Sequence, residues 1–334
     1  VSRSHTPMRV LVTGGSSLLA RATAESLLAR GDEVVLLQRN PAPLDTPQLL
    51  GDVRDAEFVH SAVAGCDAVV HLAAKVGVIG SWHDYRSINV DGTANVVAAA
   101  RHHGVARFVH VSTPSVAHAG DALVGVGATP AVTGRKGAWY AESKAIAEQM
   151  VQGAASDALP IVIIRPHLVW GPGDTQLVGR IVERARAGRL ALVGDGAALI
   201  DTTYIDNASS ALVAALDAVE PGAACLGKAY VIANGEPRPV AELVAGICGA
   251  AAIDITPRRV PRRLAVAAGA LVERVWALRG AEAGEPPLTR FLAEQLGTAH
   301  WFDPRPAQRD LGWAPTVSID EGLARLAAWF CEQV

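Results

Sequence analysis

Short apolar runs punctuate the first half of this chain, each followed by residues at helical spacing. Arg9–Val12, Glu33–Leu37, Ala68–Leu72, Arg107–Val111 and Ile161–Ile164 read as strands, rich in Val, Ile and Leu. Helical patterns fill Leu18–Arg30, Tyr85–His103 and Tyr140–Gly153. Continuous apolar strands alternating with helices predict βαβ units around a parallel sheet covered on both faces. After Pro166 the pattern loosens. Gly171-Pro172-Gly173 breaks the chain, helices are expected near Gln176–Ala187 and Asp206–Val219, and Ala229–Ala233 reads as a further strand. The remainder, rich in Pro and Arg around Pro257–Arg263, reads as mostly helical.

The expected fold class is therefore α/β. A doubly wound parallel sheet, Rossmann-like in pattern, should occupy residues 1–170 and bind a nucleotide. A smaller, mostly helical domain over residues 171–334 should bind substrate, with segments near 202–233 returning to the main sheet. Half of the 334 residues are hydrophobic, enough for a substantial core. A net charge of −3 argues against a broad basic surface for nucleic acid. Basic charge is almost all arginine, which reads as compositional bias.

Cys66, Cys225, Cys248 and Cys331 lack paired spacing, and no histidines flank them at metal-site spacing. Four reduced thiols, no metal and a cytoplasmic protein are the expectation. Val1–Pro7 is polar and reads as a disordered leader rather than a signal segment. The longest greasy stretch, Leu264–Val272, is far too short to span a bilayer.

Candidate chemistry begins where the first strand meets a helix, at Thr13-Gly14-Gly15-Ser16-Ser17-Leu18-Leu19-Ala20. Glycines at that junction let backbone approach a pyrophosphate at a helix N-terminus. Ser17 and Ala20 stand where a G-x-x-G-x-x-G pattern has its second and third glycines. Ala is accepted at the third, whereas the Ser17 Cβ sits where backbone should come nearest to phosphate. The second strand ends in Gln38-Arg39-Asn40, with no acid for a ribose 2′-OH. An arginine there suits a 2′-phosphate, so NADP is expected and NAD less so.

Tyr140 and Lys144 lie four residues apart, one turn along a single helix face. An ammonium there favours the phenolate of a group whose reference pKa is about 10, as acid/base work on a carbonyl or carbinol requires. With four tyrosines and four lysines in the chain, the pairing is unusual by chance.

These stretches, with Gly51-Asp52-Val53-Arg54-Asp55, Val70-His71-Leu72-Ala73-Ala74, Asn89-Val90-Asp91-Gly92-Thr93, Val111-Ser112-Thr113 and Arg165-Pro166, resemble the extended short-chain dehydrogenase/reductase family over nearly the whole chain. Within it, Ala73-Ala74-Lys75-Val76-Gly77, Ser112-Thr113-Pro114-Ser115-Val116, Arg165 to Asp174, and Asp201 to Asn207 are most similar to the 3β-hydroxysteroid dehydrogenase branch. The bacterial 2-alkyl-3-oxoalkanoate reductases of that branch look nearest. The resemblance implies Tyr140 as acid/base, Lys144 as its partner and ribose ligand, and Thr113 as the group on the substrate oxygen. It places Gly14, Gly15, Ser16, Ser17, Leu18, Leu19, Asp52, Val53, Ala73, Ala74, Lys75 and Pro166 with Tyr140 and Lys144 against the cofactor. Asp52 would hold the adenine. Arg39 joins them from the strand-end reading. The fingerprint departs from the family at Ser17 and Ala20, and Ala119–Gly137 lacks the acids expected before the tyrosine.

The implied reaction is hydride transfer between the nicotinamide and a ketone or secondary alcohol, with a β-keto acid or steroid-like lipid as substrate. Val76, Trp82, Pro114, Trp139, His167 and Tyr204, with Trp170, are expected around it, and Lys75 or His167 offers a cation for a carboxylate. Ser112 reads first as a strand-end residue, with a share in the role of Thr113 as the alternative, and Asn89 reads equally as a helix cap or as a residue that positions Lys144 through a water. Two other classes compete: a nucleotide-sugar epimerase of the same fold, and a non-catalytic nucleotide sensor. Pro261–Leu278 reads as a packed helix, with a lid or membrane-surface role as the alternative. Helices Tyr85–His103 and Tyr140–Gly153 are the expected seam of a homodimer.

Overall fold

A computed structural model describes residues 6–77, 80–117, 122–135, 138–279 and 297–333. The leader Val1–His5, parts of Ala119–Gly137 and the Leu278 side chain lie outside the described residues. The main sheet has seven parallel strands: β1 (Arg9–Thr13), β2 (Glu33–Gln38), β3 (Gln48–Leu50), β4 (Ala68–His71), β5 (Arg107–Val111), β6 (Ile161–Pro166) and β7 (Ala229–Ile232). Their order is β7-β6-β5-β4-β1-β2-β3. The order reverses between β1 and β4, and it is outside the carboxyl ends at such a reversal that sheets of this kind bind ligands.

Strand composition follows from burial on both faces. Val10, Val12, Val34 and Leu36 enter one layer with α1 (Leu18–Ala29) and the helix Ile205–Ala218. Leu11, Val35 and Leu37 enter the other, beneath α2 (Ala56–Val63), α3 (Gly92–His102) and α4 (Trp139–Ala154). Each side chain buried in this way contributes about 1.5–3 kcal/mol, so neither face tolerates the polar alternation of a half-exposed sheet.

The helix expected over Tyr85–His103 is not continuous. Trp82–Tyr85 forms one helical turn, capped by Ser81, and Arg86–Asp91 widens into a π-helical segment before α3 begins at Gly92. Such widened turns often mark functional positions, and this one carries Asn89. Gly92 allows the crossing onto the loop after β3, because a Cβ there would sit 2.7 Å from Val53.

The C-terminal half adds the helices Val178–Arg186, Ile205–Ala218, Val240–Ala250, Arg262–Arg279, Arg305–Leu311 and Ile319–Glu332. It also adds short strand pairs, Val169–Trp170 with Thr203–Tyr204 and Ala191–Val193 with Arg258–Val260. Leu123–Val126, a short strand outside those expected from the sequence, pairs with His300–Phe302. On Arg262–Arg279, Ala265 is buried while Leu264 and Leu271 are exposed.

Candidate functional site at the carboxyl edge of the sheet

β1 ends at Thr13, whose hydroxyl is fully committed. It accepts from the backbone N–H of Leu72 (3.1 Å) and Ala73 (3.0 Å) and bonds His71 Nδ1 at 2.8 Å. With two N–H groups donating to it, the Thr13 hydroxyl donates to His71. His71 Nε2 then carries the proton and donates to Thr93, which donates to the Asn89 carbonyl. Burial first, and Lys144 second, push His71 down to about 3, so it stays neutral. This chain ties β1, β4 and the π segment together.

Gly14 has φ +76°, and a Cβ would lie 2.9 Å from the Ala73 nitrogen. Only glycine fits. At Gly15 a Cβ would collide with Gln38 Oε1 at 1.9 Å. Ser17 is the N-cap of α1, its Oγ accepting from Ala20 N at 3.3 Å, which leaves its hydroxyl proton to donate. Ala20 is wholly buried against the sheet, the packing task of the third fingerprint position. Leu18 and Leu19 are half-buried and pack toward the C-terminal half.

At the β2 end the chain differs from the arginine-centred expectation. Gln38 is the buried residue, and Arg39 is exposed. Gln38 Nε2 donates to Gln48 at 2.6 Å, while its Oε1, facing Gly15, is buried without a hydrogen-bond partner. A buried acceptor wants a donor, and a ribose hydroxyl is one. A 2′-phosphate is not. Asp52 is half-exposed and bonds Arg54, whose guanidinium holds its carboxyl below the usual range. Val53 is buried; Ala73, Ala74 and Pro166 are half-buried at the strand ends.

Tyr140 and Lys144 share the expected face of α4. The Lys144 side chain is 3% exposed, and its Nζ donates to the Val111 carbonyl at 2.7 Å. Burial pushes this ammonium down to about 8, with the Glu148 carboxylate opposing the fall. The Tyr140 phenol moves up rather than down, to about 12: desolvation dominates, and the group working against it is Thr113, through a hydrogen bond. Lys144 is not among the groups that shift Tyr140 here, its ammonium being directed to Val111. Thr113 caps the turn Pro114–Val116 and lies 3.2 Å from Ser115 Oγ.

Asn89 is not a helix cap. Its side chain forks between chain segments, accepting from Lys75 N (2.7 Å) and donating to Lys75 O (3.0 Å) and Ser143 Oγ (2.9 Å). Ser143 donates in turn to Tyr140 O. Ser112 is buried and spent on Glu148 Oε2 at 2.5 Å, so its strand-end reading holds. Arg135 donates to the Ser115 and Val116 carbonyls, and Glu142 accepts from Gly134 N and Arg135 N, pinning a loop beside Tyr140.

The expected substrate pocket divides. Trp82 and Trp139 stand together with ring centres 5.5 Å apart, and Val76 is 63% exposed nearby in the chain. Pro114 is buried beside Thr113. Lys75 lies 5.3 Å over the Tyr85 ring. His167 is buried with Nδ1 at 2.6 Å from the Asp201 carbonyl. Tyr204 and Trp170 are removed from the pocket: both are buried, packed edge to face in a core cluster with Leu243, Ile247 and Val317.

A family model for the NAD dependent epimerase/dehydratase family matches residues 10–233. The chain belongs to that family. Within it the sequence is 50% identical over 327 residues to a Stenotrophomonas maltophilia protein named 2-alkyl-3-oxoalkanoate reductase, covering 96% of this chain and 99% of the relative. Among solved structures, the Bordetella bronchiseptica enzyme WbmH in complex with NAD+ superposes with a TM-score of 0.72 at 23% identity, covering 98% of this chain and all of the other. The Bacillus cereus UDP-glucuronic acid 4-epimerase in complex with NAD gives 0.74 at 20% identity, covering 98% and 99%. This epimerase/dehydratase family member is an extended short-chain dehydrogenase/reductase, and its chemistry is nicotinamide-dependent hydride transfer at a CH–OH or ketone carbon.

The expectation of NADP is corrected. Both solved neighbours hold NAD, as do others of this fold, and the β2 end offers Gln38 where Arg39 was expected to read a phosphate. In the sequence Gln38 stands only as one of three strand-end residues without an acid, because a glutamine between an apolar strand and an arginine carries no local signal of its own. The cradle of Gly14, Gly15 and Gln38 Oε1 fits a dinucleotide. No described helix is long and apolar enough to cross a membrane.

Proposed function

We propose that the chain is an NAD-dependent oxidoreductase that interconverts a 3-oxo and a 3-hydroxy alkanoate, a lipid-like acid. The observation that carries it is the Tyr140 phenol hydrogen-bonded by Thr113 beside the buried Lys144. The segment after Thr113 is Pro114-Ser115-Val116, with no carboxylate for a dehydration. The full-length likeness to a 2-alkyl-3-oxoalkanoate reductase supports the substrate class.

The nicotinamide, when bound, supplies or accepts the hydride at the carbonyl carbon. Thr113 holds the substrate oxygen and stabilises its developing charge. Tyr140 passes its phenolic proton to that oxygen, and a phenol held at about 12 stays protonated for the task. Lys144, whose Nζ donates to the Val111 carbonyl here, takes the role of ligand to the nicotinamide ribose. Gly14, Gly15, Ser16, Ser17 and Gln38 form the pyrophosphate and ribose cradle, and Asp52 with Val53 the adenine end. Lys75 is the cation for the substrate carboxylate. His167 is less suited, since it is buried and tied to Asp201. Trp82, Trp139 and Val76 supply apolar surface for the alkyl chain, and the working unit is a homodimer.

A second reading, nucleotide-sugar epimerisation, draws on the family description and on solved neighbours that hold UDP-sugars. It shares the cradle and Tyr140. The two separate on the purified protein. An NADH-dependent reductase exchanges its cofactor freely and oxidises NADH with 2-alkyl-3-oxoalkanoic acids, whereas an epimerase keeps NAD through gel filtration and turns over UDP-glucose. NADH should bind more tightly than NADPH, with Arg39→Ala leaving that order intact. NADH turnover with no acid of the panel, alongside UDP-glucose conversion, replaces the first reading by the second.

A further inference from the structure

We propose that His60, His102 and His103 form a surface site for one divalent transition-metal cation of the borderline class, such as zinc, cobalt or nickel. His60 lies in the last turn of α2, His102 in the last turn of α3, and His103 caps α3. The two helices pack side by side on the α4 face of the sheet. Their packing brings one ring nitrogen from each histidine within 4.8 Å of the others. Ring centres are 4.6 Å (His60–His102), 4.4 Å (His60–His103) and 4.9 Å (His102–His103) apart.

Three features make this a ligand set rather than three solvated side chains. First, His103 Nε2 lies 3.0 Å from the His60 backbone oxygen. A carbonyl only accepts, so Nε2 carries the proton and Nδ1 keeps its lone pair. A backbone carbonyl on the far nitrogen is the usual orienting partner of a metal-bound imidazole. Second, two helix C-termini converge here, and their unpaired carbonyls make a negative pole. Arg101, the nearest arginine in sequence, is directed away to the Ala154 carbonyl at the end of α4. Third, one cation shared by three ring nitrogens within 4.8 Å of one another satisfies the same negative pole. An all-imidazole set selects zinc, cobalt, nickel or copper(II) over magnesium or calcium.

His60 and His102 are exposed, so a fourth position opens to water. The site lies a helix length, about 16 Å, from the π segment at the other end of α3. It is therefore a clamp and not a reaction centre. Asn95 on α3 already donates to the Val53 carbonyl at 2.9 Å, so metal-tied helices would steady the loop that faces the adenine.

The test uses full-length, tag-free, metal-stripped protein. Cobalt(II) titrated alone should saturate at one ion per chain, with visible absorption bands that zinc displaces. His60→Ala and His102→Ala should each weaken cobalt binding at least about tenfold. Zinc should raise the melting midpoint of the parent and not of His60→Ala, and both variants should keep their hydride-transfer turnover. Copper(II) bound by the parent should show coupling to several nitrogens in its electron paramagnetic resonance spectrum, a readout that needs no variant. Equal cobalt affinity in the parent and in a variant lacking all three histidines overturns the proposal. So does weak uptake of several ions per chain, or copper coupled to a single nitrogen.

Discussion

Glu148 is the residue whose loss should most disturb the scaffold under the site. It projects from α4 into the sheet, where Arg165 Nε donates to Oε2 at 2.9 Å, Arg165 Nη2 donates to Oε1, and Ser112 donates at 2.5 Å. Both side chains of the ion pair are 2% exposed. At that separation and an effective dielectric of 20, the attraction is roughly 5–6 kcal/mol, and desolvating two ions consumes much of it. The pair thus adds little net stability, yet removing one partner strands a buried charge at a cost of about 3–5 kcal/mol. Glu148→Ala should lose that amount in urea unfolding followed by tryptophan fluorescence, a large share of the 5–15 kcal/mol typical of a folded domain. Pairing it with Arg165→Met should recover most of the loss. If Glu148→Ala costs under about 1 kcal/mol, or the double variant is no better than the single, Arg165 is solvated and the reasoning fails.

Three further outcomes follow from the site. Lys144 has its pKa lowered from 10.5 to about 8 by burial, so the folded state binds fewer protons than the unfolded between those values. Its contribution opposes folding at neutral pH and is relieved as pH rises from about 8 to 10.5, by roughly 3 kcal/mol in all. The stability difference between the parent and Lys144→Met, measured by urea unfolding at pH 7.5 and 10, should move by that order, and a flat difference contradicts the shift. Gly14→Ala should cost about 1–3 kcal/mol from its φ of +76° and the 2.9 Å approach to Ala73, and should abolish NADH binding in a fluorescence titration. Tyr140→Phe should cut turnover about 10²–10⁴-fold with little change in NADH affinity; near-parental turnover would remove Tyr140 from the chemistry.

The parts legible in the sequence are those whose cause is local. Strands buried on both faces must be continuously apolar, so β1, β2, β4, β5 and β6 announce themselves. Gly14 sits at a strand–helix junction, and Tyr140 and Lys144 lie one turn apart on one helix, so neither depends on distant partners. Gln48–Leu50 and Leu123–Val126, three and four residues long, are too short to stand out as strands until a sheet edge is there to pair with. The break at Arg86–Asp91 follows from Asn89 bonding Lys75 and Ser143 across the fold, which no helical periodicity encodes. Burial, too, is a property of the assembled chain. It took Tyr204 into the core, raised the Tyr140 phenol against the pull expected from Lys144, and aimed Gln38 rather than Arg39 at Gly15. The absence of metal-site spacing was equally local, because His60 meets His103, 43 positions on, only after the chain between them has folded through β4 and α3. Sequence by itself determined the alternation of layers and the placing of Tyr140 and Lys144 on one helix face, since both rest on neighbours in the chain. Tertiary structure decided the buried acceptor on Gln38, the direction of the pKa shifts and the histidine cluster, since each depends on desolvation and on groups that only packing brings together.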